Sequence, residues 1–181
     1  EACSKFEQHW PCKQPHKANA AQILNKLRCI LKETIHQHGE NMFIVDGMDI
    51  ALCLIDNDKT KMQFAGAYHP LVLIRNNVVT ELKGDRLPVG DHVNDQKPFT
   101  LHTVDLQLGD KIYLFSDGFA SQFGGKDNKK YMKAHFIKLL ETSSSKPMES
   151  QKRILLSELN SWMKVGNTPQ IDDILVIGIE V

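Results

Sequence analysis

The chain has 181 residues, 41% of them hydrophobic and 24% charged, which is enough apolar material for a single domain with a core. Its 22 basic and 22 acidic side chains balance, so we expect no nucleic-acid-binding surface. The longest apolar runs are no longer than a strand, so we also expect no transmembrane span.

Residues 1–17 show no hydrophobic period, and we interpret them as an irregular N-terminal arm. Four residues of this arm are potential zinc ligands: Cys3, His9, Cys12 and His16. Their spacing matches no established zinc motif, so we expect no zinc site. Cys29 and Cys53 lie in a helical and a strand pattern, where a free thiol packs as a small apolar residue. This use of cysteine favours a reducing, cytoplasmic setting.

A helix and then a series of strands are predicted next. Apolar residues recur at helical spacing after Asn19, which stands in the N-cap position, and the helix is expected to end near Gly39. Asn57-Asp58 and Asn76-Asn77 are turn pairs that predict two hairpins. The predicted strands are Asp49–Ile55, Lys61–Ala67, Leu71–Arg75, Val78–Leu82, Phe99–Leu106, Lys111–Ser116 and Asp173–Ile179. The polar segment Gly84–Pro98 is interpreted as a loop.

Two further helices are predicted in the C-terminal third. The apolar face of the first is formed by Tyr131, Phe136, Leu139 and Leu140. The second runs from Pro147, which suits a first helical turn, to Trp162. Mostly antiparallel strands with helices before and after them indicate an α+β fold with helices packed on sheets.

Two predicted strands are bounded by aspartates. Asp117-Gly118 ends one apolar strand, and Asp172-Asp173 begin the last one. We expect these carboxylates to lie at the edge of a sheet core, where an unpaired charge is costly to bury. A divalent cation bound by oxygen ligands is a suitable shared partner. From the residues alone an alternative has equal weight: Asp117 as a turn carboxylate that accepts backbone N–H bonds, and Asp172 as an ordinary turn residue.

Several motifs, in this order along the chain, resemble those of the sporulation stage II E (SpoIIE) phosphatases. They lie at residues 46–53, 64–71, 85–90, 113–125 and 170–178. The resemblance implies a domain from residue 18 to 181, within the type-2C-like, metal-dependent protein phosphatases. It implies a layered α-β-β-α sandwich of antiparallel sheets flanked by helices. It also implies hydrolysis of phosphoserine or phosphothreonine with Mn²⁺ or Mg²⁺, often on an anti-sigma-factor antagonist protein.

The resemblance also implies a site. Asp117 and Asp172 match the family's metal ligands, and Asp173 and Gly118 are expected beside them. In the family, two metal ions activate a water that attacks phosphorus directly, so no catalytic residue beyond the ligands is predicted. Asp46 matches no ligand position despite its Asp-Gly sequence. Ser121 is a departure, because many relatives carry Asp there.

The family's upstream Gly-Asp strand and glycine-rich acidic loop have no counterpart here, since no Asp precedes Asp46 and the first glycine is Gly39. We therefore expect a domain that lacks its N-terminal strands and holds one weakly bound metal ion at most. The chain is then a C-terminal fragment of a phosphatase or a diverged relative of one. An inactive pseudophosphatase that binds proteins is an alternative, and a structural remnant acting in assembly is a third. Exposed sheet edges favour pairing with another chain, so a homodimer is a further expectation.

Overall fold

A computed structural model describes residues 18–36, 47–90 and 97–181. Within them the chain forms two compact units, one up to Pro70 together with Leu82–Leu106, the other Leu71–Glu81 together with Gln107–Val181. The helices are α1 (Ala20–His36), α2 (Gly118–Ser121), α3 (Lys133–Ser143) and α4 (Met148–Gly166). The strands are β1 (Gly47–Met48), β2 (Ile50–Ile55), β3 (Lys61–Ala67), β4 (Leu71–Arg75), β5 (Val78–Leu82), β6 (Val89–Gly90), β7 (His102–Asp105), β8 (Lys111–Phe115), β9 (Phe123–Gly124), β10 (Lys129–Lys130) and β11 (Val176–Glu180).

The first unit is an antiparallel sheet in the order β2-β3-β7 with α1 packed against it. Its buried core comprises Ala20, Ala21, Leu24, Ala65, Ala67, Leu87, Val89 and Phe99. Asn19 is confirmed as the N-cap of α1. Its side-chain oxygen accepts the Gln22 backbone N–H at 2.9 Å, and the Gln22 side chain accepts the Asn19 N–H at 3.0 Å. This reciprocal pair satisfies two backbone donors at the start of the helix.

The second unit is a sheet in the order β11-β8-β4-β5, and its core is shared with α3 and α4. The core residues are Val72, Ile74, Tyr113, Phe115, Phe119, Tyr131, Phe136, Leu140 and Leu159. Several of the aromatic rings meet edge to face, as Phe115 and Phe136 do with their centroids 4.9 Å apart. Such pairs add stability beyond the area they bury. This unit carries every residue predicted to form the site.

Both predicted hairpins are confirmed. Asn76 and Asn77 have φ angles of 50° and 62° between β4 and β5, as the turn chemistry predicts. The turn between β2 and β3 is held by Asp56, whose carboxylate accepts the N–H groups of Thr60 and Lys61. Other expectations are wrong in detail: the predicted loop contains β6, the second C-terminal helix continues to Gly166, and the helix α2 was not foreseen.

The predicted start of the last strand is also wrong, since β11 begins at Val176. The predicted end of the first helix near Gly39 lies outside the described residues, as do the arm and its four potential zinc ligands. Within the described chain, neither Cys29 nor Cys53 is part of a disulfide. Burial raises the pKa of the Cys53 thiol to about 11, so it is not a reactive thiolate at neutral pH. None of the described helices combines the length and the apolar character needed to cross a membrane.

Candidate functional site

Asp117 lies where β8 ends and α2 begins. It is solvent-exposed and stands in the N-cap position of α2, but its side chain caps no backbone N–H group there. Its Oδ2 atom receives one weak hydrogen bond, from the Ser121 hydroxyl at 3.4 Å. The structure therefore does not support the alternative in which backbone N–H groups hold the Asp117 carboxylate.

Asp172 and Asp173 lie in the loop that leads into β11, and both are exposed. The Oδ1 atom of Asp172 accepts the Asp173 N–H at 2.7 Å, and the Asp172 carbonyl accepts a hydrogen bond from the Gln170 side chain at 2.8 Å. The first of these bonds joins adjacent residues, whereas an Asx turn joins a side chain to the N–H two residues on. Asp172 therefore makes one local side-chain bond while it presents its carboxylate to solvent.

Ser116 brings this loop against the end of β8. The last ladder pair is Phe115 with Val176. Beyond it the Ser116 hydroxyl donates to the Asp173 carbonyl at 2.8 Å and accepts the Leu175 N–H at 2.9 Å. A side chain thus replaces part of the backbone ladder, which is why β11 starts later than predicted. This role of Ser116 was not predicted; its signal in the sequence is a hydroxyl residue between an apolar strand and Asp117.

Gly118 allows the two segments to approach closely. A Cβ atom built on Gly118 would lie 2.4 Å from the Asp173 carbonyl oxygen and 3.0 Å from the Ile174 side chain. Any larger residue would push the loop away from α2. The structure therefore places Gly118 directly against Asp173, the chain neighbours of Asp117 and Asp172.

The expectation of nearly buried carboxylates is wrong, because all three aspartates are exposed. Because the three carboxylates remain hydrated, they carry no large desolvation penalty, and burial gives no reason to expect a cation beside them. Within the described ranges no three His, Cys, Asp or Glu residues come together as a metal site. Two carboxylates from facing segments suit one hydrated Mg²⁺ or Mn²⁺ ion, which commonly keeps several waters. They do not suit a bridged pair of ions, which needs more carboxylate ligands.

An apolar cavity of about 410 Å³ lies next to this region, between α4 and the β8–β11 edge of the sheet. Phe119 and Ile174 line it and are chain neighbours of Gly118 and Asp173. Two of its polar lining residues are paired with each other, since the Tyr113 hydroxyl donates to Gln151 Oε1 at 2.6 Å, and Glu149 and Lys152 also line it. None of the three aspartates lines the cavity, and they form the candidate site.

The model of one protein family matches residues 14–181, nearly the whole chain: Stage II sporulation protein E (SpoIIE). The chain belongs to the SpoIIE family. No curated protein matches it in sequence. The resemblance noted in the sequence is therefore confirmed at the level of the family.

Solved structures of SpoIIE-like and related phosphatase domains share the fold. The SiaA-PP2C domain of Pseudomonas aeruginosa aligns with a TM-score of 0.77 and 25% identity, over 90% of this chain and 61% of that one. The SpoIIE phosphatase domain from Bacillus subtilis, presoaked with Mn, aligns with a TM-score of 0.55 and 14% identity, over 88% of this chain and 70% of that one. The catalytic domain of the serine/threonine phosphatase PstP, in complex with two manganese ions, aligns with a TM-score of 0.55 and 13% identity, over 98% of this chain and 77% of that one.

These likenesses confirm the predicted α+β fold class with antiparallel sheets, here in a SpoIIE-family chain with a PP2C-like fold. The chain spans about three fifths of the length of the SiaA-PP2C chain.

Proposed function

We propose that this chain carries part of a metal-dependent protein serine/threonine phosphatase, residues 18–181 being the C-terminal part of the phosphatase domain. The proposal is supported by membership of the SpoIIE family and by the close approach of Gly118 to Asp173, which are the chain neighbours of Asp117 and Asp172. In this proposal the two carboxylates hold one Mn²⁺ or Mg²⁺ ion.

The residues of the chain orient these ligands. Asp117 stands at the start of α2 with its oxygens facing solvent, and Ser116 and Gly118 on either side of it hold the Asp173 segment close. Asp172 is oriented by its own hydrogen bond to the Asp173 N–H. When bound, the ion supplies Lewis acidity toward phosphoryl oxygens and a coordinated water. The negative charge that binds the ion comes from the two ligands, with Asp173 beside them.

The proposed substrate is a protein phosphorylated on serine or threonine, with an anti-sigma-factor antagonist as the candidate that the family resemblance suggests. Solved relatives include PppA, titled a key regulatory component of T6SS, and a chain carrying RsbU and RsbW domains. A cytoplasmic setting, no nucleic-acid partner and a homodimer formed through sheet edges belong to the same proposal. In the described chain, the edge strands are β2 and β7 in one sheet and β11 and β5 in the other.

A pseudophosphatase that binds a phosphoprotein or a regulator is the second candidate. One observation favours it: the described residues bring no third metal ligand to the two aspartates. A chain with one weak ion site keeps a surface that a phosphoprotein recognises but lacks the charge to drive hydrolysis.

Calorimetric titration with Mn²⁺, together with a phosphate-release assay on a phosphoserine peptide, separates the two candidates. Release of phosphate that depends on bound Mn²⁺ rules out the pseudophosphatase. One weak ion without release rules out catalysis by this chain. Asp117→Asn should abolish the binding, and Asp58→Asn, an exposed aspartate in the β2–β3 turn, is the matched control. Unchanged affinity in Asp117→Asn would show that the site is misplaced.

A further inference from the structure

Gln122 follows α2 directly, and its side chain is completely buried, with 0% exposure. A buried amide is stable only when its donors and acceptors find partners. Gln122 lies within the family motif at residues 113–125, and no role is predicted for it from the sequence. Its signal is a long polar side chain next to Phe123, five residues after Asp117.

The Gln122 amide is bonded on both sides. Its Nε2 donates to the Phe123 carbonyl at 3.0 Å and to the Pro169 carbonyl at 2.9 Å. Its Oε1 accepts the Ile171 N–H at 3.3 Å. Two carbonyls facing the nitrogen and one N–H facing the oxygen define the orientation of the amide. Two of these three bonds hold the segment immediately before Asp172.

The backbone of Gln122 is also fixed. Its carbonyl accepts the Tyr131 N–H at 2.9 Å and the Trp162 indole N–H at 3.2 Å. The next residues lie against α4, where the Gly125 N–H donates to the Trp162 carbonyl at 2.9 Å. A Cβ atom on Gly124 would lie 2.3 Å from that same carbonyl oxygen. Gln122 is therefore anchored to α4 and to the β9–β10 hairpin before it reaches the Asp172 loop.

We infer that Gln122 is a positioning residue that holds the loop carrying Asp172 against the helix that begins after Asp117. Since the loop reaches Ser116 only at Asp173 and Leu175, the Gln122 amide provides the tether on the other side of Asp172. The two tethers together determine where the Asp172 carboxylate lies relative to Asp117. This inference rests on the proposed function only for its effect on metal binding.

The test compares two buried glutamines of the same unit in the full chain. Gln122→Met removes the amide while it retains most of the volume. Gln151→Met does the same at a residue 2% exposed, whose amide bonds the Tyr113 hydroxyl and the Lys146 carbonyl and none of the loop. The readouts are amide hydrogen exchange at Ile171, with Leu175 as internal reference, and the Mn²⁺ dissociation constant.

In Gln122→Met we expect exchange at Ile171 to accelerate relative to Leu175, and Mn²⁺ affinity to fall about tenfold to a hundredfold, as for other residues that orient metal ligands. Gln151→Met should change neither, although both variants unfold more easily. Unchanged Ile171 exchange in Gln122→Met, or equal acceleration in Gln151→Met, overturns the inference.

If Gln122→Met does not fold, Gln122→Asn decides by the same exchange readout, since its shorter amide cannot reach both Pro169 and Ile171. Failure of the proposed function has a different signature. In that case the wild-type chain binds no Mn²⁺, while exchange at Ile171 still responds to the loss of Gln122.

Discussion

Replacement of Gly118 by alanine tests the close approach on which the candidate site depends. The new Cβ would lie 2.4 Å from the Asp173 carbonyl oxygen, whereas ordinary contacts begin at 3.4 Å. The two atoms must therefore separate by about 1 Å, which also breaks the 2.8 Å hydrogen bond between Ser116 and Asp173. Overpacking of this kind destabilises proteins by about 1–3 kcal/mol.

Gly178→Ala is the matched control, because its Cβ would meet only the flexible end of Met148, at 3.1 Å, and the Tyr113 ring. Both substitutions reduce the entropy of the unfolded chain equally, so their difference isolates the clash. For a chain of this length, about 1–3 kcal/mol corresponds to a Tm roughly 2–12 °C lower. Circular dichroism at 222 nm during heating, with urea unfolding alongside, measures the difference in the free energy of unfolding.

A Gly118→Ala variant as stable as Gly178→Ala would refute the described contact between α2 and the Asp173 loop. Mn²⁺ titration of the two variants adds a second criterion. The alanine at residue 118 should weaken the binding of Mn²⁺, because it displaces the Asp172 segment. Equal affinity in the two variants would mean that the loop position does not determine the metal site.

Two further predictions concern the same unit and the pH dependence of its stability. The Arg75 guanidinium, bonded to both oxygens of the buried Asp110 at 2.7 and 2.6 Å, lowers the pKa of that carboxyl. Its stabilisation is therefore present above about pH 4 and lost as pH falls further. Asp110→Asn should lower the urea midpoint at pH 7 by an amount equivalent to about 1.5–3 kcal/mol. The difference in midpoint between the variant and the wild type should become smaller as the pH falls below about 4. A difference that stays constant with pH would contradict the stabilising role of the Arg75–Asp110 pair. Burial raises the pKa of Tyr113 to about 12, so above pH 10 the unfolded chain releases a proton that the folded chain keeps, and stability falls as pH rises. Tyr113→Phe should make stability fall less steeply with pH above 10, and it should cost about 1–3 kcal/mol at pH 7 because the Gln151 oxygen loses its donor. Urea unfolding between pH 7 and 11 measures the free energy of unfolding for both effects. An unchanged slope above pH 10 would contradict the role given to Tyr113.

The local elements of the fold were predictable because their signals lie within a few residues. The Asn76-Asn77 pair predicts its own turn, since these residues tolerate positive φ, and Asn19 predicts its own cap. Family motifs then selected Asp117 and Asp172 as the candidate metal ligands. These features require no knowledge of distant contacts.

What could not be predicted depends on pairs far apart in the chain. The start of β11 is set by Ser116, 57 residues before Asp173. The exposure of Asp117 depends on how the sheet end is covered, which an apolar run alone does not reveal. The role of Gln122 requires the positions of Pro169 and Ile171, 47 and 49 residues away. In each case tertiary structure decides what a side chain contacts.

The close packing of the β9–β10 hairpin against α4 has an evolutionary consequence. Atoms of Trp162 lie within 2.6 Å of the place that a Cβ atom would occupy on either Gly124 or Gly125. At Gly124 the nearest atom is the Trp162 carbonyl oxygen, 2.3 Å away, which any residue at 162 would keep, and Gly125 has a φ of 69°, which favours glycine. Across homologous sequences, glycine should therefore be retained at both positions even where the indole is replaced.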